Sequence, residues 1–456
     1  MRQQQQASGD RGRIVAKFGG TSLADAGQVR KVAAIVRAEP RRRHIVVSAP
    51  GKRHGRDQKI TDLLLTCWHL AAQRLDYHEP LSLIGTRYDE IAAGLGVAPI
   101  QEPMAELAAE LEKLAADDTT TLATRDWVAS RGEYFHACLI AEFLEATFVP
   151  AGECIRFDRD GRLDPHSYTL LDKRMAGDDL YVVPGFYGRD AQGRIKTFSR
   201  GGSDVTGAVV ARAVGAAVYE NWTDVPGLLM ADPRVVENPP PIAEVTYREL
   251  RELAYMGASV LHEEVVFPVR EAGIPIHVRS TNAPEEPGTR IVRKRAETPD
   301  RPVVGIAGRS GFTAITIEKW QMNQEVGFGH KALGVFLSHG ISFEHMPSAI
   351  DSLSIIVADE QLEGHEQSVL EDLRRVLAPG RLDRYAGLSL IATVGEGMAY
   401  RVGVAGTVFG ALRDAGVNIR MISQGASEIS ILIGVASGDY ERAVRAIYAA
   451  FIPSSP

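Results

Sequence analysis

The sequence predicts an α/β protein: a mainly parallel sheet between helical layers, followed by two smaller βαββαβ units. Three observations carry that expectation. Short apolar runs alternate with stretches of helical period through most of the chain. Two of those runs end in glycine-rich turns that open into helices. Past Pro302 the chain changes character and one pattern of helix, glycine and strand occurs twice.

The first run is Ile14-Val15-Ala16, read as a strand, followed by Lys17-Phe18-Gly19-Gly20-Thr21-Ser22 and a helix from Leu23 to Glu39 with Val29, Val32, Ala33 and Val36 at helical spacing. Glycines lack a Cβ, so main-chain N–H groups can approach an oxyanion closely, and a helix start adds favourable partial charge. Lys17 adds a full positive charge. The turn is not a P-loop, because Gly-x-x-x-x-Gly-Lys-[Ser/Thr] is absent. By itself it is equally an ordinary strand-to-helix turn.

At 456 residues the chain favours two or three domains. A net charge of −7 without a long basic run argues against nucleic acid as a partner, and Arg41-Arg42-Arg43 reads as a solvated turn after Pro40. Three scattered cysteines, Cys67, Cys138 and Cys154, read as buried thiols of a reducing cytoplasm. The glutamine-rich start is expected to be a disordered tail over residues 1–12. It lacks the apolar core of a signal peptide, and no run of 18 apolar residues occurs, so no membrane partner is expected.

His44 to Val47 forms a second strand ending at Ser48-Ala49-Pro50-Gly51. Ligands of parallel sheets gather at strand carboxyl ends, so Ser48 is a candidate pocket residue, or simply part of a terminating turn. Lys59 to Leu122 is helical, and Ser130-Arg131-Gly132-Glu133 stands at the start of a further helix through Phe143. Glu133 there either favours the helix N-terminus by its charge or faces the pocket. Strands are expected at Phe148–Ala151, Tyr181–Phe186, Ile195–Phe198, Ala217 onward and Ile274–Arg279, with a helix from Tyr247 to Phe267. Ser199-Arg200-Gly201-Gly202-Ser203-Asp204 is a second anion cradle at a helix start. Two cradles in one domain hold two anions near each other. Arg234, in Asp232-Pro233-Arg234, is a further candidate phosphate ligand or a plain surface arginine. Ser280 to Pro302, rich in Pro, Gly, Glu and Arg, reads as a domain boundary. Beyond it, Val335–Val357 and Val408–Ile433 follow the same plan, each closed by a helix, Glu363–Leu377 and Asp439–Phe451: a ferredoxin-like pair.

Taken in this order, the motifs at Lys17–Ser22, Ser130–Glu133, Ser199–Asp204, Trp222-Thr223-Asp224-Val225-Pro226-Gly227 and Asp232–Arg234, with the terminal pair, resemble the bacterial monofunctional aspartate kinases of the amino acid kinase superfamily. The resemblance runs from about Ile14 to the C-terminus. It implies an amino acid kinase fold over 13–295 and two ACT regulatory domains, 303–385 and 386–456, with strands open to exchange between them. It leaves no length for a fused homoserine dehydrogenase. It implies transfer of the ATP γ-phosphoryl group, with Mg2+ carried by the nucleotide, to the β-carboxylate of L-aspartate, the first step toward lysine, threonine and methionine.

The chemistry is consistent with the residues. A carboxylate of ordinary pKa, roughly 4, needs no base at neutral pH. Bringing it to a polyphosphate costs about 4 kcal/mol per charge pair at 4 Å and an effective dielectric near 20, so neutralisation and alignment dominate. By the resemblance, Lys17, Gly19, Gly20, Thr21 and Ser22 contact the phosphates. Arg200 pairs with the substrate α-carboxylate, Glu133 takes its ammonium, and Ser48, Phe186 and Ser203 shape the pocket. Asp204 holds Lys17 or assists the metal; Thr223, Asp224 and Arg234 serve the nucleotide. Two positions depart from the family pattern: Ser259 replaces a lysine facing the nucleotide, and Leu229 replaces an aromatic residue. Met322, Gly327, Phe328, Glu344, Ser348 and Asp351 match the place of an amino-acid effector. Their carboxylates favour lysine, with threonine the alternative, and the ACT pair implies a homodimer.

Overall fold

The computed structural model describes residues 12–199, 201–258, 261, 263–295, 302–425 and 429–452. The expected disordered tail, Gly12 apart, lies outside them, as do Arg200 and Ser259. The chain forms two compact units. One comprises Met1–Leu228, Ala243–Tyr247 and Val260–Arg295; the other comprises Leu229–Ile242, Arg248–Ser259 and Ala296–Pro456.

The first unit is built on an eight-stranded sheet. Its strands are β1 (Ile14–Phe18), β2 (Arg42–Val47), β3 (Thr147–Phe148), β4 (Tyr181–Pro184), β7 (Val218–Thr223), β8 (Glu244–Thr246), β9 (Ile276–Ser280) and β10 (Thr289–Val292), and a separate hairpin pairs β5 (Tyr187–Arg189) with β6 (Ile195–Thr197). The order is β3-β4-β2-β1-β7-β9-β10-β8, and only the β9/β10 pair is antiparallel. All five residues of β1 are buried, as a central parallel strand covered on both faces requires. Helices α1 (Ala26–Arg37), α2 (Ile60–Ala72), α3 (His78–Leu95), α4 (Gln101–Ala115) and α5 (Arg125–Phe143) share one hydrophobic core with β1 and β2. The remaining long helices of this unit are α6 (His166–Arg174), α7 (Gly202–Ala213) and α9 (Glu263–Ala272), while α8 (Tyr247–Tyr255) belongs to the second unit from Arg248 onward.

Several local expectations change. The α1 helix starts at Ala26, capped by the Asp25 carboxylate on the Gln28 N–H, after a single 3-10 turn over Thr21–Leu23. Helix α5 starts at Arg125, capped by Thr124, so Glu133 lies in its third turn, away from the N-terminal dipole. Arg42 is not in a solvated turn: it lies in β2, 8% exposed, with its guanidinium on both oxygens of Glu220. Phe148–Ala151 is strand only at its start, because Pro150 lacks a ladder N–H and precedes a helical turn, Ala151–Cys154. Inside the stretch read as a boundary, β10 returns to the sheet.

The second unit carries a five-stranded antiparallel sheet in the order β12-β11-β13-β15-β14, formed by β11 (Gly305–Glu318), β12 (Ser352–Ala358), β13 (Arg381–Val394), β14 (Ile419–Ser423) and β15 (Ser430–Ala436). Strands β11 and β13 are each 14 residues long and serve two halves. Phe312–Glu318 pairs with β12 and with the start of β13, over a core that includes α10 (Phe328–Ser338) and α11 (Glu366–Leu377). Gly305–Ser310 pairs with the end of β13, beside β15 and a core built with α12 (Val404–Asp414) and α13 (Tyr440–Phe451). The expected division at 385/386 therefore falls inside β13. Leu229–Ile242 belongs to this unit because Ala231, Val235 and Val236 share the core of Val303, Ile306 and Ile433.

Candidate active site

Lys17 and Asn221 stand opposite one another in the register of the parallel pair β1 and β7, so both side chains project from one face of the sheet. The first turn of α7 begins over that face, at Gly201, whose φ of 57° requires glycine-like freedom. Asp204 there ion-pairs with the Lys17 ammonium and accepts from the Asn221 amide at 2.7 Å. Tyr219, two residues before Asn221, donates to the Asp204 carbonyl at 3.0 Å. It can do so because Gly207 has no Cβ; one would lie 2.6 Å from the tyrosine oxygen. Lys17 is 6% exposed, so its ion pair with Asp204 is poorly screened by solvent.

Beside Lys17, Gly19 donates its N–H to the Trp222 carbonyl at 3.0 Å, and the Gly20 carbonyl accepts from Gly51 N–H at 2.8 Å. The turn after β1 and the turn after β2 thus touch main chain to main chain. A Cβ on Gly51 would come within 2.5 Å of the Gly20 carbonyl carbon. Thr21 is exposed, whereas Ser22 is buried and its hydroxyl meets that of Thr281 at 2.8 Å. Thr281 in turn donates both N–H and Oγ1–H to the Thr223 carbonyl. The phosphate candidates therefore divide, with Ser22 serving the frame of the turn.

The residues expected to hold the amino acid stand on or beside β2, α5 and α7. Ser48 follows β2 and is half-buried. Glu133 is 5% exposed; the Ala49 N–H and the Ser203 hydroxyl favour its ionised form, and Oε2 has no partner. Burial pushes its carboxyl up to about 7, with Lys17 and those two donors opposing. Phe186 adopts a φ of 78°, unusual for a bulky side chain, and its N–H is held by Thr206 at 3.0 Å. Ser203 is buried at the start of α7, tight against Gly185.

The remaining candidates lie elsewhere. Thr223 and Asp224 end β7, joined hydroxyl to carboxylate at 3.2 Å. Arg234 and Leu229 belong to the second unit, where Arg234 is exposed and paired with Asp232 at 2.7 Å. Of the effector set, the Met322 and Phe328 side chains lie in the core, and Gly327, at φ 77°, caps α10. Glu344 accepts from the Tyr255 hydroxyl and lies 3.7 Å from Arg309. The Asp351 carboxylate accepts the Gln321 N–H at 2.9 Å, and Ser348 is exposed. A cavity of about 690 Å³ is lined by Asp351 with Glu318, Lys319, Trp320 and Arg381. Among the described residues no cluster of three or more His, Cys, Asp or Glu could hold a metal, and no helix is long and apolar enough to cross a membrane.

Sequence reasoning missed Asn221, Thr206 and Thr281. Asn221 was within reach: a strand through Thr223 places it, at period two, on the face of Thr223. Its alignment with Lys17 needed the register.

Residues 12–280 match the amino acid kinase family and residues 391–451 an ACT domain. The chain is 40% identical to aspartokinase 3 of Bacillus subtilis, over 96% of this chain and 98% of that one. It is 30% identical to the lysine-sensitive aspartokinase 3 of Escherichia coli, over 95% and 98%. Its structure superposes on the Clostridium acetobutylicum aspartate kinase with a TM-score of 0.89 at 44% identity, covering 96% of this chain and 100% of that one. Escherichia coli aspartokinase III, solved in complex with aspartate and ADP, gives 0.74 at 29% identity, covering 96% and 99%. A second crystal structure of that enzyme holds lysine and aspartate. With residues 12–280 matching the amino acid kinase family and a relative 40% identical along nearly the whole of both chains, the chain belongs to that family and, within it, to the aspartokinases.

Proposed function

We propose that Lys17 is the charge that lets ATP and the β-carboxylate of L-aspartate meet, held on station by Asp204 and Asn221. The single observation carrying this reading is the buried Lys17–Asp204–Asn221 contact at register-matched strand ends, next to a glutamate oxygen without a partner. Gly19, Gly20 and Thr21 supply phosphate contacts, with Thr223 and Asp224 serving the nucleotide and Mg2+ arriving on it. Arg200 takes the substrate α-carboxylate, Glu133 the ammonium, and Ser48, Phe186 and Ser203 bound the pocket. The 13–295 region carries the chemistry. The 303–456 region carries feedback, with lysine favoured as effector near Gly327, Glu344 and Asp351, threonine the alternative, and a homodimer formed through the ACT pair in the cytoplasm. The lysine and aspartate held by the Escherichia coli enzyme support these assignments.

A coupled assay on aspartate, glutamate and acetylglutamate tests the substrate, with turnover expected on aspartate. Lys17→Ala is expected to abolish phosphoryl transfer; wild-type turnover in that variant would overturn its role. Activity unchanged in saturating lysine, threonine and diaminopimelate would remove the feedback assignment.

A further inference from the structure

The peptide bond between Ser48 and Ala49 is gripped from both sides by one helix. His136 lies one turn beyond Glu133 on α5, is 0% exposed, and brings Nδ1 to 2.9 Å from the Ser48 carbonyl oxygen. The N–H of Ala49, the other end of the same peptide unit, lies toward Glu133 and favours its ionised form. A trans peptide points C=O and N–H in opposite directions, and residues three apart on a helix share one face, so the spacing matches the span. A carbonyl only accepts, hence the imidazole hydrogen is on Nδ1; Nε2 has no partner, and the ring lies edge-on to Tyr88. Burial holds the ring down at about 4, so it is neutral. Gly132 lets α5 come this near: a Cβ there would lie 2.9 Å from that of Ala49. The far end of the turn is fixed independently. Buried Arg87 donates to the Gly51 carbonyl at 3.2 Å and to both Asp57 oxygens at 2.7 Å.

We propose that His136 is a positioning residue for the amino-acid substrate: its Nδ1–H fixes the Ser48–Ala49 peptide so that the Ala49 N–H stays on Glu133. The inference rests on Glu133 and Ser48 lining the substrate pocket. Without His136 the peptide is free to rotate, Glu133 loses a donor that favours its ionised form, and its carboxyl titrates higher. Lys17 of β1, Tyr88 of α3, Tyr187 of β5 and Ser203 of α7 also face Glu133; the Tyr88 ring packs against His136, and loss of the imidazole is common to the Leu and Asn variants.

The test compares His136→Leu, which cannot donate, with His136→Asn, whose amide nitrogen takes the place of Nδ1. Aspartate and ATP KM are measured from pH 6 to 9. Leu is expected to raise the aspartate KM about tenfold, with ATP KM within about twofold, and to move the rise in aspartate KM toward higher pH; Asn is expected to restore most of both. Equal aspartate KM and pH profiles for the two variants, or an equal rise in ATP KM, would overturn the proposal. If Leu fails to fold, nitrogen-15 histidine spectra of the wild type decide: the signal lost in His136→Asn must report Nδ1–H, and an Nε2–H ring refutes the clamp. An unchanged aspartate KM in Glu133→Gln would instead fault the pocket assignment itself.

Discussion

Glu133 makes the clearest residue-scale demand. Its carboxyl is raised to about 7 in the free protein, against 4.5 for an unburied glutamate, because burial outweighs its donors. A raised carboxyl stabilises the fold fully below the unfolded pKa, and that contribution is lost as pH rises through the folded value. The free protein therefore carries a strained carboxylate above pH 7, and a substrate ammonium relieves it. Thermal stabilisation by aspartate is expected to be larger at pH 8 than at pH 6, and the aspartate KM to rise as pH falls below 7. In Glu133→Gln both trends should vanish; a pH-dependent KM of unchanged shape in that variant would sink the assignment. Asn221→Leu removes one of two groups holding Asp204. Loss of one buried hydrogen bond predicts a kcat about tenfold lower at nearly unchanged aspartate KM, measured by steady-state kinetics.

At the scale of elements, the site depends on how closely two turns approach. Gly20 and Gly51 meet through a main-chain hydrogen bond, and the atoms a Cβ would strike on Gly51 are backbone, which cannot move aside. Gly51→Ala is thus expected to part the two turns and raise KM for both ATP and aspartate several-fold. A rise confined to one substrate would show that the turns act separately. The helices were legible in the sequence where they are amphipathic, as in α11 and α13, with polar faces opposite Leu373 and Val444. Their ends were less so: α5 buries residues all round, so apolar spacing could not reveal that it begins before Ser130. The long strands β11 and β13 escaped for a related reason. They pair with each other throughout, but each has a second neighbour along only one half, the change falling at Gly311 with φ 94° and Gly387 with φ 68°, and neither half shows the other's pattern.

For the molecule as a whole, the two units have cores of their own. The half of the second unit built on α10 and α11 centres on Phe336, 1% exposed, among Ile315, Ile355 and Leu373. Phe336→Ala is expected to destabilise that core by about 3–5 kcal/mol, seen as a lowered denaturation midpoint. It should weaken an effector response before it weakens catalysis. An unchanged midpoint would contradict the packing.

The sequence alone determined the order of motifs, the α/β pattern, the two anion cradles and the family, because glycine turns, apolar periodicity and a lysine at a strand end are local features that need no partner. Tertiary structure decided which of those residues meet. Register set Lys17 against Asn221, and a helix start brought Asp204 to both. Burial, which no local pattern encodes, turned Glu133 from a helix-end charge into a carboxyl poised near neutrality and turned Ser22 inward. The strand order of the second unit likewise followed from pairings between residues dozens of positions apart, where hydrogen-bond geometry and core volume make the choice.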